Sequence, residues 1–202
     1  MARLFCVMGK SASGKDTIYK ALAADESLKL QTIVPYTTRP VRSGETQGVE
    51  YYFTDEENYQ KLKAAGRIIE DRAYETIHGL WRYFTADDGQ IDVCDPQANY
   101  IVIGTLEAYR QMLAWFGPDI LIPVYVEVED GLRLERALRR ERSQANPRYA
   151  EMCRRFLADC EDFSEDKIKE CCIGKRYDNI DLSECLEQIR ADIRLQSGQD
   201  CK

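Results

Sequence analysis

Apolar residues follow two rhythms along this chain. In RLFCVMG (3–9) they run nearly without a break and stop at a glycine, the pattern of a short strand buried on both faces. In KDTIYKALAAD (15–25) they return as Ile18, Ala21 and Leu22, which share one face of a helix. The same alternation recurs downstream. NYIVIG (99–104) predicts a core strand and leads into TLEAYRQMLAWFGP, where Leu106, Tyr109, Leu113 and Phe116 keep helical spacing until Gly117-Pro118 breaks it. DILIPVYVEVE (119–129) predicts a third strand, with Pro123 implying an edge position or a bulge. A helix from about Asp130 to Arg142 follows that strand. Another helix, from about Arg148 to Phe163, would line up Tyr149, Met152, Phe156, Cys160 and Phe163. A last one starts at Asp181 as its cap and turns Leu182, Leu186, Ile189 and Ile193 inward.

Strands that alternate with helices predict a parallel sheet covered on both faces, with ligands gathered at the carboxyl ends of its strands. A charged, turn-rich stretch, TTRPVRSGETQGVEYYF (37–53), interrupts this rhythm. It is followed by a short helix near EENYQKLKAAG, with Tyr59 and Leu62 inward and Gly66 as its stop.

Composition narrows the picture. With 202 residues and 44% apolar content the chain is expected to form one domain. It has no apolar run near the length of a membrane span, and its first residues turn polar too soon for a secretion signal, so a cytoplasmic location is expected. A net charge of −7 argues against a general nucleic-acid binder. The eight cysteines are scattered and read as reduced, buried thiols; with a single His78, a zinc site is not expected. The tail SGQDCK is expected to fray.

The chemistry concentrates at GKSASGKDT, directly after the first strand. Gly9 and Gly14 permit a tight turn whose N–H groups point inward, the following helix contributes its positive end, and Lys15 supplies a mobile charge. A plain glycine-rich turn would account for either glycine but not for Lys15. The pattern G-x-x-x-x-G-K predicts a nucleotide phosphate loop made of Gly9, Lys10, Ser11, Ala12, Ser13, Gly14, Lys15, Asp16 and Thr17. Asp16 stands where such loops place the hydroxyl that meets magnesium; Thr17 offers one a residue later, as in nucleoside monophosphate kinases, which this segment resembles. Asp16 or Thr17 is expected to reach Mg2+ through water.

Arg39 and Arg42, with Tyr51 close behind, can hold one phosphate from several sides. The whole stretch 37–53, and LKAAGRIIED after it, resembles the monophosphate-binding segment of guanylate kinases. The resemblance implies an α/β fold with a P-loop NTPase-type parallel sheet, helices on both faces, a small monophosphate-binding insertion and an arginine-rich lid. The implied core is about 1–34 and 99–196, the insertion about 35–90 and the lid about 136–155. It makes Arg39, Arg42 and Tyr51 ligands of the monophosphate, and Glu70 the acceptor for guanine N1–H and the 2-amino group. In GLRLERALRRERSQANPRY it points to Arg136 and Arg140 as lid arginines on a face shared with Arg133, and Arg155 matches a further family arginine.

Three departures set the chain apart from that family. Pro35 replaces a serine that bonds guanine O6, Val102 to Thr105 lack the family's two acids, with Asp92 or Asp95 as substitutes from a nearby loop, and HGLWRYFT replaces a turn that carries a phosphate-binding tyrosine. For that tyrosine Tyr83 is the candidate, with Trp81 and Arg82 as alternatives and Trp81, Tyr83 and Phe84 equally readable as core. The implied reaction is transfer from Mg2+-ATP to GMP, with Lys15, Arg39, Arg136 and Arg140 neutralising charge. The expected partners are small nucleotides, with no nucleic acid and no membrane, and the chain is expected to be a monomer or a homodimer. The rival readings are a kinase for another nucleotide or a phosphorylated sugar, and a non-catalytic binding module.

Overall fold

Each apolar run predicted as a strand or helix takes that form in the computed structural model, which describes residues 2–76 and 79–198. His78, Cys201 and most of the predicted frayed tail lie outside the described residues. The strands are β1 (Arg3–Met8), β2 (Leu30–Thr32), β3 (Tyr36–Thr37), β4 (Tyr52–Phe53), β5 (Ile68–Thr76), β6 (Gly79–Ala86), β7 (Asn99–Ile103), β8 (Leu121–Glu127) and β9 (Arg176–Asp178). The helices are α1 (Lys15–Ala23), α2 (Glu56–Ala64), α3 (Leu106–Phe116), α4 (Asp130–Arg142), α5 (Tyr149–Asp162), α6 (Glu165–Glu170) and α7 (Leu182–Gln196).

The main sheet has five parallel strands in the order β2-β7-β1-β8-β9. Strand β1 lies at its centre, and its period of two divides it between two cores. Leu4, Cys6 and Met8 pack with Leu106, Tyr109, Met112 and Ile168 on one face. Phe5 and Val7 pack with Ile18, Leu22, Ile189 and Ile193 on the other. Each such fully buried side chain contributes roughly 1.5–3 kcal/mol, so the sandwich of helices over this strand holds the loop that follows it in place.

Pro123 corrects an expectation. It sits in β8, opposite Cys6, in a strand paired on both sides. Pairing with β9 begins only at Tyr125, so at Pro123 that flank of β8 is still open and the missing N–H interrupts no ladder there. The edge position expected for Pro123 is thus local, inside a strand that gains its second neighbour two residues later, and the correction is only that β8 is not itself an edge strand.

A second, mixed sheet in the order β4-β3-β6-β5 carries its own small core, where Tyr59 of α2, Phe84 and Ala86 are buried. Gly66 at φ 67° ends α2 as expected. Gln111 of α3 ties this sheet to the main one, because its side-chain amide accepts from Asp71 N and donates to Asp71 O, both at 2.9 Å. That amide acts as one extra rung for an edge strand, so β5 is fixed against α3.

Two helix faces differ from the pattern read in the sequence. Asp181 does cap α7, accepting from Ser183 N and Glu184 N, but Leu182 is exposed because the first turn projects past the sheet. Tyr149 is exposed as well, and α5 buries none of its residues fully, since it lies over α4 rather than against the sheet. No helix among the described residues is long and apolar enough to cross a membrane.

Candidate active site

The loop after β1 needs its glycines for space as much as for conformation. A Cβ on Gly9 would stand 2.4 Å from the Val126 carbonyl oxygen, and one on Gly14 would stand 2.3 Å from Asn179 Nδ2. Gly14 is also left-handed, at φ 87°, and it opens α1 with no side chain capping the helix, so the helix's first N–H groups are free for an anion. Ala12 takes the left-handed region too, at φ 62°.

Residues distant in sequence brace this loop. Asn179, just past β9, donates from Nδ2 to Ser13 O at 2.7 Å. Arg133 of α4 donates from Nε to Ser11 O at 3.0 Å, and Asp159 of α5 accepts from Ser11 N at 2.7 Å. Arg133 and Asp159 also bond each other at 3.2 Å, so one ion pair satisfies both backbone groups of Ser11. Sequence reading missed Asn179 and Asp159, and named Arg133 only as sharing a face with the lid arginines.

Lys15 lies beside Asp16, Nζ to Oδ2 3.4 Å, and Lys10 lies 3.5 Å from Asp130. Asp16 and Thr17 are both exposed at the head of α1. A hard carboxylate oxygen and a hydroxyl in that position suit magnesium, which takes one or two protein oxygens alongside substrate phosphates, and no cluster of three or more His, Cys, Asp or Glu able to hold a metal alone occurs among the described residues.

A cleft of about 970 Å³ opens between the main sheet and the second sheet. Its core wall is made by Asp16, Tyr19 and Lys20 of α1, by Thr32 to Pro35, by Val102 and Ile103 of β7, and by Thr105 after it. Facing them are Tyr51, Arg72, Tyr74, Trp81 and Tyr83, and Arg154 and Arg155 enter from α5. Trp81 and Tyr83 therefore belong to the cleft, whereas Phe84, one residue on, is core. Tyr83 meets Tyr51 edge to face at 5.7 Å.

The paired arginines expected on one phosphate differ sharply in exposure. Arg39 is only 3% exposed and forms a two-pronged pair with Glu45, at 2.7 and 2.6 Å, while its guanidinium packs on Tyr51 and Phe53. The hydrogen bonds from Arg39 hold the Glu45 carboxyl down to about 2. Arg42 is exposed, and its backbone N–H donates to the same Glu45. Tyr51 lines the cleft and the two arginines do not.

Glu70 is likewise covered. It is 1% exposed, accepting from Thr85 Oγ1 at 2.9 Å and from Arg72 Nε at 3.2 Å. Burial raises its carboxyl above the usual range, with Arg72 and Thr85 opposing. Asp92 and Asp95 cap turns in their own loop, accepting from Cys94 N and Gln97 N, and do not replace the absent acids of the cleft.

The arginines of α4 also divide. The inward face is Arg133, Ala137 and Glu141, one turn apart each, so the side expected to carry Arg133, Arg136 and Arg140 buries only the first of them. Arg136 instead donates to Asn179 O at 2.8 Å, beside the phosphate loop, and Arg140 lines a smaller cavity of about 240 Å³ between α4 and α5. Arg155 borders both that cavity and the main cleft. Glu151 binds Arg154 and Arg155, and those bonds hold its carboxyl down to about 2.

Comparison with known proteins gives the family. The family model described as guanylate kinase matches residues 1–79. A guanylate kinase from Mycoplasmoides gallisepticum is 34% identical over 95% of this chain and 89% of its own length. One from Symbiobacterium thermophilum is 29% identical over 97% and 86%. The crystal structure of guanylate kinase from Anaplasma phagocytophilum superposes with a TM-score of 0.62 at 21% identity, covering 97% of this chain and 86% of that one, a likeness of fold.

Proposed function

This chain belongs to the guanylate kinase family, and on that premise we propose that it transfers the γ-phosphoryl group of ATP to the phosphate of GMP, giving ADP and GDP. The observation that carries the reading is the cleft itself. The head of α1, directly after the glycine loop, makes one wall, and Tyr51 and Tyr83 make the opposite one. Two phosphates held from those walls meet end to end.

The chemistry asks for alignment and charge neutralisation rather than covalent participation. An oxygen of the GMP phosphate forms a bond to Pγ as the bond from Pγ to the bridging β-oxygen breaks, and that oxygen leaves with the electron pair on ADP. The uncapped N–H groups at the head of α1 hold the ATP phosphates, and Lys15 follows the moving group. Arg136, anchored on Asn179 O beside the loop, and Arg140 on the same helix add positive charge on the ATP side. On the acceptor side Tyr51, Tyr83 and Arg155 hold the monophosphate. Arg39, locked to Glu45, presses its guanidinium against the Tyr51 ring and sets that phenol's direction. Asp16 and Thr17 would hold Mg2+, which supplies further neutralisation of the phosphate charge when bound.

The test is a coupled assay of ADP release with ATP and GMP. Wild-type enzyme turns over in the presence of magnesium, and Lys15→Ala lowers kcat by about 100-fold or more, the loss seen when one preorganised donor to a transition-state charge is removed. A Lys15→Ala enzyme with undiminished kcat would refute the role given to the loop.

A further inference from the structure

The floor of the cleft is the β5–β6 hairpin, and its rows can be read outward from the core. Glu70 pairs with Thr85, Arg72 with Tyr83, and Tyr74 with Trp81. Residues two apart on a strand share a face, so Glu70 and Arg72 point the same way, with Glu70 the deeper of the two. Glu70 has both carboxylate oxygens occupied, one by Thr85 and one by Arg72, and is closed off from solvent. Arg72 is the charged group of this pair that lines the cleft. It spends Nε on Glu70, while its two terminal nitrogens make no hydrogen bond to a described residue.

Beyond Glu70 the cleft has no buried carboxylate to meet a guanine 2-amino group and N1–H. Only Asp16 and Glu50 among the lining residues are carboxylates. The first belongs to the phosphate end, and the second accepts from Thr46 N at 2.8 Å. Pro35 brings no N–H to the base. The donors at hand are therefore the terminal nitrogens of a guanidinium. Such a fork matches the adjacent O6 and N7 acceptors of a 6-oxopurine, and it meets a donor, the 6-amino group, on adenine.

Resting on the kinase assignment above, we propose that Arg72 is the base-reading residue. It selects a purine by the 6-oxo and N7 edge and leaves the 2-amino group unread, so that IMP is an acceptor alongside GMP. The transfer to IMP is the same displacement, a phosphate oxygen of IMP bonding to Pγ while ADP departs with the electron pair of the broken bond. Glu70 serves this reader from behind as a positioning residue, holding Nε and so aiming the two remaining nitrogens.

The experiment compares kcat/KM for GMP, IMP and AMP with saturating Mg2+-ATP in wild-type, Glu70→Gln, Arg72→Lys and Arg72→Met enzymes. Wild-type enzyme is expected to use GMP and IMP within about fivefold of each other and AMP roughly ten- to hundredfold less well, the discrimination of one bidentate arginine. Glu70→Gln leaves the GMP to IMP ratio unchanged. Arg72→Met raises KM for GMP and IMP together and narrows their lead over AMP, and Arg72→Lys restores part of it. The wild-type and Glu70→Gln measurements suffice should the methionine variant fail to fold. A GMP preference of 100-fold or more over IMP that collapses in Glu70→Gln would overturn the inference and leave the GMP kinase standing. Absence of transfer to GMP would remove the kinase assignment itself.

Discussion

Ala12 is a non-glycine residue held in the left-handed region, φ 62°, in the middle of the phosphate loop. An L-residue there costs roughly 1–2 kcal/mol through contact of its Cβ with the following carbonyl. Glycine removes that cost but brings back about 0.5–1 kcal/mol of unfolded-state entropy. Ala12→Gly is therefore expected to stabilise the protein by about 0.5–1 kcal/mol, a rise of roughly 1–4 °C in Tm for a chain of this size. A thermal melt checks it, and a lower Tm would mean that the alanine methyl makes a contact worth more than its strain. The residues whose chemistry depended on type and spacing alone were the ones visible in the sequence. Gly9, Gly14 and Lys15 belong to this group, because a tight phosphate loop demands those types at that spacing whichever distant residue closes on it, Asn179 in the case of Gly14. Arg39 was visible as a charge but not as a partner of Glu45, since an arginine near a glutamate does not reveal whether either faces a ligand.

At the scale of elements, α4 and α5 are joined to the phosphate loop by one buried ion pair. Arg133 is 1% exposed, lies over the Phe156 ring at 4.7 Å, and shares Ser11 with Asp159. Arg133→Met keeps the volume but strips the Ser11 carbonyl of its donor and leaves Asp159 uncompensated, a loss of about 3–5 kcal/mol by analogy with other broken buried pairs. It should lower the urea midpoint with little change in slope and raise KM for ATP more than KM for GMP. A loss below about 1 kcal/mol would show that water replaces the arginine without cost, against the expected penalty for an unpaired buried charge. The elements themselves were largely readable because their periods of 2 and 3.6 come from burial against a single sheet. The faces of α4 and α5 were not, since they bury charged side chains against each other and a hydrophobic pattern carries no record of that. Strands β2 and β9, three residues each, were too short to show a period at all.

At the scale of the molecule, the Gln111 clamp holds β5 to α3, so the second sheet approaches the phosphate loop across the cleft rather than swinging free. Ligand in that cleft must touch the hairpin floor, and Trp81 is part of it. The other tryptophan, Trp115, lies on the exposed side of α3, 45% accessible, and is not among the cleft residues. The two indoles therefore separate a local event from a general one. GMP is expected to change the emission of the wild-type protein and of Trp115→Phe, and to leave the emission of Trp81→Phe unchanged. The same ligand at 100 times its Kd should stabilise the fold by about 2.7 kcal/mol, since it binds only the native state. A stabilisation of that size together with an unchanged Trp81 signal would put GMP somewhere other than against the hairpin. The face-to-face arrangement of α1 and the tyrosines would then have to serve another acceptor.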